Sequence, residues 1–583
     1  MFVLDLLYAF PKFRLDQATL AQTLTFAFAA GGGGDAFSRV LAHPNLEPSS
    51  LSADCFATDL FLDDFVRLYL TTSAGAGGKP NQPALRLMLG HPPQDLNTVM
   101  LRHGVLREIA TRPELHQACI DAWLAIGRLR TTIESSELGK RGGTIYRRVE
   151  ILRQTESLIG FLNQAFAGAE SALSRISEYT GAVMASDGFQ NLRQFLDYEG
   201  HLATVELSIR VGRDGEIRSL SIVRTQANSS NEHPWISWSR WWSRVVLLLR
   251  GYAIREREVI GRLVETVFDA IQEVLLSLFQ LEMQVEFYLG AFRFRHLAER
   301  RGLTLSLPEF IPADEPDTRT RFDCLFNPFL LQEERPPVPC DLEVEKTEMV
   351  VVTGPNSGGK TRLLQAVGLA QVLGQAGLFV PAKRARLAWR KGLFVSLVHP
   401  VLPDQREGQL GLELVRIRRL FERMGFGDLI LLDELCSGTN PSEGEQIAQL
   451  VISLLHRLEP QALITTHFLE FAARLAQGRP VPGLGFRQVE LDPHLRPTFR
   501  FVPGVAKSSL AAQTAERLGV TREALEALLV EKTARRHPEA SPSPPPRDKP
   551  VPWSPTEPEP NGSTSPSGLR ERPSASNRKG RSS

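Results

Sequence analysis

The stretch VVVTGPNSGGKT, residues 350–361, constrains the fold of this chain more than any other. Its three valines predict a buried parallel strand, residues 354–361 fit the pattern G-x-x-x-x-G-K-[ST], and residues 362–373 have helical periodicity. Glycines let backbone N–H groups close on phosphate oxygens, and the start of the following helix favours negative charge. The bare pattern also occurs by chance. The flanking strand and helix favour an α/β P-loop domain that binds a nucleotide.

The loop and the first turn of the helix supply the candidate nucleotide-binding residues. Lys360 would reach the β- and γ-phosphates, and the Thr361 hydroxyl would hold Mg²⁺. The complete candidate set is Gly354, Pro355, Asn356, Ser357, Gly358, Gly359, Lys360 and Thr361. The site is therefore predicted to bind a nucleoside triphosphate together with Mg²⁺.

Two more apolar runs predict core strands that end in polar residues. Residues 429–432 lead into Asp433, which suits Mg²⁺ binding, and Glu434, which would polarise the attacking water. Residues 462–466 lead into His467, which would sense or bond the γ-phosphate, because parallel strands end at one crevice. Without the glycine loop, the two acids would only mark a strand end in solvent and the histidine would be structural. Glu434, His467 and Lys360 are the candidate catalytic residues, and Thr361 and Asp433 the candidate metal ligands.

Composition indicates an ordinary soluble protein. The 583 residues carry a net charge of +1, so no global field points to nucleic acid or to a membrane. Five scattered cysteines without metal spacing favour reduced thiols. We see no signal peptide and no uncharged apolar run of membrane-spanning length. The expected location is the cytoplasm, with no membrane partner.

Before the nucleotide domain the sequence predicts helices. Residues 95–130 are strongly helical, whereas the fold of residues 1–89 is unclear. Heptad spacing of apolar residues predicts one long helix over residues 152–176 and another over 259–300. Such helices form either an ordinary bundle core or a lever that carries motion.

Two segments differ from this helical pattern. Alternating apolar residues over 205–211 and 217–223 predict a β-hairpin. The following segment, 231–242, holds four of the seven tryptophans among arginines, which indicates either a packing anchor or nucleic-acid contact. Residues 538–583 are rich in Pro and Ser and are predicted to be disordered.

Longer motifs resemble the ATPase domain of the MutS family. They are TGPNSGGKT at 353–361, LLDELCSGTNPSEGE at 431–445 and ITTHFLEF at 464–471. Residues 504–520 look like the family's helix–turn–helix, and residues 95–115 are similar to the start of its helical core. The likeness is greatest to bacterial paralogues without a mismatch-recognition domain.

This resemblance implies an ABC-type ATPase that uses ATP and Mg²⁺ and works as a dimer, with helical levers that embrace DNA. The expected dimer is a homodimer. Asn356 would join Lys360 and Thr361 at the phosphates, and Glu413 matches the glutamate of the family's signature loop. The family's signature serine falls on Gly408, and its adenine-gripping segment becomes 337–341, PVPCD, without the aromatic residue and the asparagine.

The expected domains are an N-terminal region (1–89), an all-α core or lever with a hairpin insertion at about 203–225 (90–320), a MutS-like ABC-type ATPase domain (321–503), a helix–turn–helix dimerisation appendix (504–535) and a disordered tail (536–583). The function implied is an ATPase that clamps structured or branched DNA without reading mismatches itself. The alternative is a nucleotide-gated binding module with little turnover that acts on a ribonucleoprotein, RNA or the ribosome.

Overall fold

The fold is taken from a computed structural model. It describes residues 3–49, 51–72, 79–135, 143–199, 203–211, 217–227, 253–312, 315–397, 409–435, 440–478, 481–507 and 519–536. Residues 1–511 form one compact unit and residues 512–583 a second. Four predicted features lie outside the described residues: the tryptophan cluster at 231–242, Gly408, the first helix of the helix–turn–helix and the tail beyond residue 536.

The described residues before residue 200 are mostly helical, including the region for which the sequence predicts no clear fold. The helices are α1 (Gln17–Ala30), α2 (Gly34–Ala42), α3 (Leu62–Phe65), α4 (Gln82–Gly90), α5 (Leu96–Thr111), α6 (Pro113–Glu134), α7 (Gly143–Ala165), α8 (Ser174–Met184) and α9 (Asp187–Glu199). Side chains of Asp16, Asn81 and Asp95 accept backbone N–H groups at the starts of α1, α4 and α5. These caps satisfy donors that have no partner within the helix.

The prediction of one long helix over residues 152–176 was wrong, because α7 ends at Ala165 and α8 begins at Ser174. Gly168, with φ of 87°, lies in the turn between them. The Glu108 carboxylate accepts the backbone N–H groups of Glu170 and Ser171 and so holds that turn. Apolar residues on both sides of the turn are buried, so two packed helices satisfy the heptad spacing as well as one would.

The second long helix is confirmed. After the antiparallel hairpin of β1 (Ala203–Val211) and β2 (Ile217–Ala227), helix α10 runs from Ala253 to Glu299. The N-terminal segment lies along it: the Gln280 side chain donates to the carbonyls of Leu4 and Phe13, and the Tyr288 hydroxyl donates to that of Leu6. Helix α10 is thus the centre of the helical part.

The remainder of the first unit is mixed α/β. It contains β3 (Glu309–Phe310), β4 (Thr320–Leu325), β5 (Cys340–Val344), β6 (Met349–Thr353), α11 (Lys360–Gln375), β7 (Arg384–Leu387), β8 (Leu393–Ser396), α12 (Gln409–Arg423), β9 (Leu429–Leu432), α13 (Pro441–Leu455), β10 (Gln461–Thr465), α14 (Leu469–Gln477), β11 (Leu484–Leu491) and β12 (Pro497–Pro503). The second unit contains α15 (Arg522–Arg536).

Two sheets organise these elements. The larger one has the order β12-β11-β6-β10-β9-β8, in which β12 alone is antiparallel to its neighbour. The smaller sheet has the order β3-β7-β4-β5. The strands that the sequence predicts at 350–352, 429–432 and 462–466 are confirmed as β6, β9 and β10, all buried and parallel. Because they are parallel neighbours, their carboxyl ends meet at one edge of the sheet.

The N-terminal helical region packs directly on this α/β part. Leu60 lies against helix α11, where a Cβ added to Gly368 would come within 2.7 Å of it. The Asp59 carboxylate accepts the backbone N–H of Leu397, just after edge strand β8. One hydrophobic cluster extends from Leu4 to Leu463, so the two parts share a core.

Two further sequence expectations concern thiols and membranes. Cys55, Cys119, Cys324 and Cys340 lie in the described part of the chain and are all free thiols. None of the helices that the structure describes combines the length and apolar character needed to cross a membrane.

Candidate nucleotide site

The glycine loop links β6 to α11, and its backbone requires glycine at both ends. Gly354 has φ of 144°, and a Cβ there would come within 2.6 Å of the Val489 side chain on β11. Gly359, the N-cap of α11, has φ of 88° in the left-handed region. Both conformations are open to glycine and costly for other residues. The sequence pattern therefore has a local structural cause.

Lys360 begins α11 and is 5% exposed. Its Nζ lies 3.1 Å from the carbonyl oxygens of Gly354 and Pro355 and donates to both. Burial lowers the pKa of Lys360, while the negative charges of Glu434 and Asp433 oppose that shift. The ammonium group therefore lies inside the loop with the two acids nearby.

A chain of hydroxyl and carboxylate groups connects three strand ends. The Thr361 hydroxyl donates to Oδ2 of Asp433 at 2.6 Å, and the Thr465 hydroxyl donates to Oδ1 at 2.6 Å. The backbone N–H of Glu434 donates to the Thr465 hydroxyl at 2.8 Å. Strand β10 lies between β6 and β9, which places Thr465 between the loop and the acids. The sequence pattern did not single out Thr465.

A cavity of about 730 Å³ opens beside the loop. Glu434, which has φ of 47°, lines it together with the start of α11. Phe499 and Phe501, on β12, form an aromatic wall that sequence reasoning missed. The alternating apolar residues of β12 were a signal for a strand, but nothing in them indicates which ring faces a cavity.

The segment at 337–341 also reaches this cavity. Pro337, Val338 and Cys340 line it, as do Phe326 and Leu330 from the preceding segment. The aromatic residue that the resemblance expects here is missing, but rings from β12 lie in the same cavity. The cavity thus combines an apolar wall with the polar loop.

Two residues implied by the sequence lie elsewhere. His467 is half-buried, and its ring lies 4.1 Å from that of Phe468 between centroids. His467 is not among the described residues that line the cavity. Its contact with the γ-phosphate therefore stays a prediction. Glu413 is buried on α12 and borders a smaller cavity with Asp433.

The oxygen atoms of Thr361 and Asp433 suit Mg²⁺, which prefers oxygen ligands and commonly binds through one or two protein groups plus phosphates. Within the described ranges, no three His, Cys, Asp or Glu residues cluster so as to hold a metal ion without such help. The residues present therefore fit magnesium that binds together with a nucleotide.

The mixed α/β fold and this site define an ATPase domain. Residues 350–532 match the family model for MutS domain V. Two similar proteins are both named endonuclease MutS2: one from Thermomicrobium roseum is 32% identical over 284 residues, and one from Thermus thermophilus is 36% identical over 190 residues. Residues 350–532 of this chain are therefore similar to domain V of the MutS family.

The matches cover parts of both chains. The match to the Thermomicrobium roseum protein covers 48% of this chain and 35% of that protein. The match to the Thermus thermophilus protein covers 32% of this chain and 25% of that protein. The chain therefore spans about a third or less of the length of these relatives. The region that matches the family model includes the glycine loop and the strands that carry the site.

Proposed function

We propose that this protein is a P-loop ATPase of the ABC type that couples ATP binding and hydrolysis to clamping on structured or branched DNA. The observation that supports the proposal best is the convergence of the loop, Lys360, Thr361 and Glu434 on one cavity, with Asp433 bonded to Thr361. These groups come from two separate parts of the chain, residues 354–361 and residues 433–434.

Each residue has a distinct role in this proposal. Backbone N–H groups of the loop and Lys360 hold the phosphates, and Thr361 and Asp433 hold the magnesium ion. Bound magnesium neutralises charge that develops on the phosphate oxygens. Glu434 orients a water molecule and accepts its proton, with His467 as a second polar group at the γ-phosphate. Phe499 and Phe501 pack against the base.

Contacts at the far end of α11 support coupling to the helical part. The buried Arg102 side chain donates to the carbonyl of Ala376, at the end of α11, and to that of Leu7. Its guanidinium also lies 5.3 Å from the ring centroid of Phe287 on α10. A shift of α11 on nucleotide binding would therefore move Arg102 and its contact with α10. We propose that α10 acts as a lever.

The proposed organisation keeps the domains expected from sequence: a helical lever (90–320), an ATPase domain (321–503) and a dimerisation appendix (504–535). Helix α15, within that appendix, exposes Leu525, Leu528 and Leu529. We propose a homodimer in which this apolar surface and the ATPase face take part. The MutS2 names of the relatives support DNA as the partner.

Hydrolysis by three variants tests the site. Lys360→Ala should lower ATP turnover about 100-fold or more, because a phosphate-binding charge is lost. Glu434→Ala should bind ATP and fail to release phosphate. Lys391→Ala, an exposed lysine of the same domain, is the control and should hydrolyse ATP like the wild type. Equal turnover in all three would contradict the site assignment.

Binding to duplex DNA, a four-way junction and ribosomal particles, compared over a range of salt concentrations, tests the partner. The proposal expects junction DNA to bind most tightly, in a manner that depends on ATP. Tight ATP binding without phosphate release, with preference for the ribosomal particles, would instead support the nucleotide-gated module on a ribonucleoprotein.

A further inference from the structure

The last residue of β10, Thr465, is completely buried between two acids of the site. Its hydroxyl donates to Oδ1 of Asp433 at 2.6 Å and accepts the backbone N–H of Glu434 at 2.8 Å. A hydroxyl has one proton to donate and lone pairs to accept, so both bonds form together. Thr465 therefore contacts the side chain of one acid and the backbone of the next.

Both oxygens of the Asp433 carboxylate have a hydroxyl donor. Thr361 donates to Oδ2, while Thr465 donates to Oδ1. Hydrogen bonds from a hydroxyl to an ionised carboxylate are short and about twice as strong as neutral ones. The pair of bonds fixes the plane of the carboxylate. Thr361 and Asp433 are the proposed metal ligands. Thr465 donates to the other oxygen of Asp433, so it can orient this carboxylate without binding the metal itself.

The second bond of Thr465 acts on a strained backbone. Glu434 has φ of 47°, in the left-handed region that is unfavourable for a residue with a Cβ. Such conformations persist where the surroundings hold them, and they are common at functional sites. The hydrogen bond from the Glu434 N–H to Thr465 helps to hold this one, and with it the direction in which the Glu434 side chain leaves the strand.

We propose that Thr465 is a positioning residue for ATP hydrolysis: it orients Asp433 toward magnesium and Glu434 toward the attacking water. This inference rests on the proposed ATPase function. Thr465 itself does not touch the nucleotide in this proposal. Its removal should therefore affect the use of magnesium and the rate of the chemical step more than the binding of a nucleotide without magnesium.

Three substitutions separate the hydroxyl from the packing of the side chain. Thr465→Val keeps the shape and removes the hydroxyl, while Thr465→Ser keeps the hydroxyl and removes a methyl group. Thr320→Val is the matched control: Thr320 is also buried, and its hydroxyl bonds the side chain of Gln461 at the other end of β10. All three are compared with the wild type as full-length chains.

The measurements are steady-state ATP hydrolysis over a range of Mg²⁺ concentrations, binding of a fluorescent ADP analogue with and without Mg²⁺, and the urea midpoint of unfolding. For Thr465→Val we expect kcat to fall and the Mg²⁺ concentration at half-maximal rate to rise, each by about tenfold, since partners of a metal ligand have effects of about that size. Binding of the analogue without Mg²⁺ should change by less than about twofold. Thr465→Ser should restore both values, and Thr320→Val should change only the urea midpoint.

Two results would overturn the positioning role. One is a magnesium dependence of Thr465→Val equal to that of Thr320→Val. The other is a Thr465→Ser variant as impaired as Thr465→Val. If Thr465→Val does not fold, Thr465→Ala compared with Thr465→Ser gives the same contrast. If Lys360→Ala abolishes ATP hydrolysis and Thr465→Val leaves it unchanged, only the role of Thr465 is contradicted. If Lys360→Ala does not affect hydrolysis, the proposed function is contradicted.

Discussion

Two regions of the molecule bury charged residues, and they differ in what those residues face. At the nucleotide site, Lys360 at the start of α11 and Asp433 just after β9 are buried and lie next to a cavity. On helix α10, Glu282 and Glu286 are buried as deeply but point into the helical core. Glu282 pairs with Nη1 of Arg130 at 2.9 Å, and Glu286 accepts the backbone N–H of Asn81.

The comparison shows that burial and a shifted pKa do not by themselves identify a functional site. Burial raises the pKa of Glu282 to about 7 and that of Glu286 to about 8, values often seen in active sites. Their partners nevertheless lie within the helical core and bind together α4, α6 and α10. The site acids differ because Glu434 borders a cavity large enough for a nucleotide. We expect substitutions in the helical core to cost stability and those in the site to cost catalysis.

The largest effect should come from Arg130→Met. This change leaves the Glu282 carboxylate buried without its cation, and breaking such a pair costs about 3–5 kcal/mol. Urea unfolding followed by circular dichroism measures the loss. Arg153→Met is the control, because Arg153 pairs with Glu150 at the surface and should lose less than about 1 kcal/mol. Equal midpoints for the two variants would show that the buried pair does not stabilise the core.

Asp433→Asn should have the opposite signature. The amide keeps an oxygen acceptor but loses the charge that attracts magnesium, so ATP hydrolysis should fall about 10- to 100-fold. The urea midpoint should remain near that of the wild type. Phosphate release and unfolding measured on the same preparation separate the two effects. An Asp433→Asn variant with a lower urea midpoint but wild-type ATP hydrolysis would contradict this distinction between the two regions.

Phe499→Ala should have a smaller effect, confined to nucleotide binding. Stacking of a base on an aromatic ring contributes about 1–3 kcal/mol, so affinity for the fluorescent ADP analogue should fall by about tenfold. Phe426→Ala, which removes a highly exposed ring of the same domain, should leave the affinity unchanged. If the two variants bind alike, the base does not pack on β12.

The sequence predicted the parts of the site that are local. The strand, loop and helix at 349–375 were predicted from a run of valines, the spacing of the glycines and a periodic apolar pattern. In the structure, Gly354 and Gly359 have the positive φ angles that favour glycine. Phe499 and Thr465 were missed because their roles depend on which strands are neighbours, and β10 and β12 reach the site only through the sheet order.

The helical part was less predictable for a related reason. The apolar spacing at 152–176 fits one helix or two packed helices equally well, and the turn at Gly168 depends on the distant Glu108. The 47-residue helix α10 was predicted because its spacing continues without a break. Its buried acids could not be paired from sequence, since Arg130 and Asn81 lie more than a hundred residues away.

A last expected effect appears only when pH is varied, as a change in how stability depends on pH. Because burial raises the pKa of Glu286 from 4.5 to about 8, the folded chain keeps a proton that the unfolded chain loses, and stability falls as pH rises from about 5 to 8. Glu286→Gln removes this titration, so its free energy of unfolding in urea should fall less over that range, by up to about 1 kcal/mol per pH unit. The nearby Glu282 and Arg130 remain in both proteins, and Glu265→Gln, at an exposed position of the same helix, should keep the wild-type slope. A slope unchanged in Glu286→Gln would mean that Glu286 is ionised in the folded core and that its charge is balanced there.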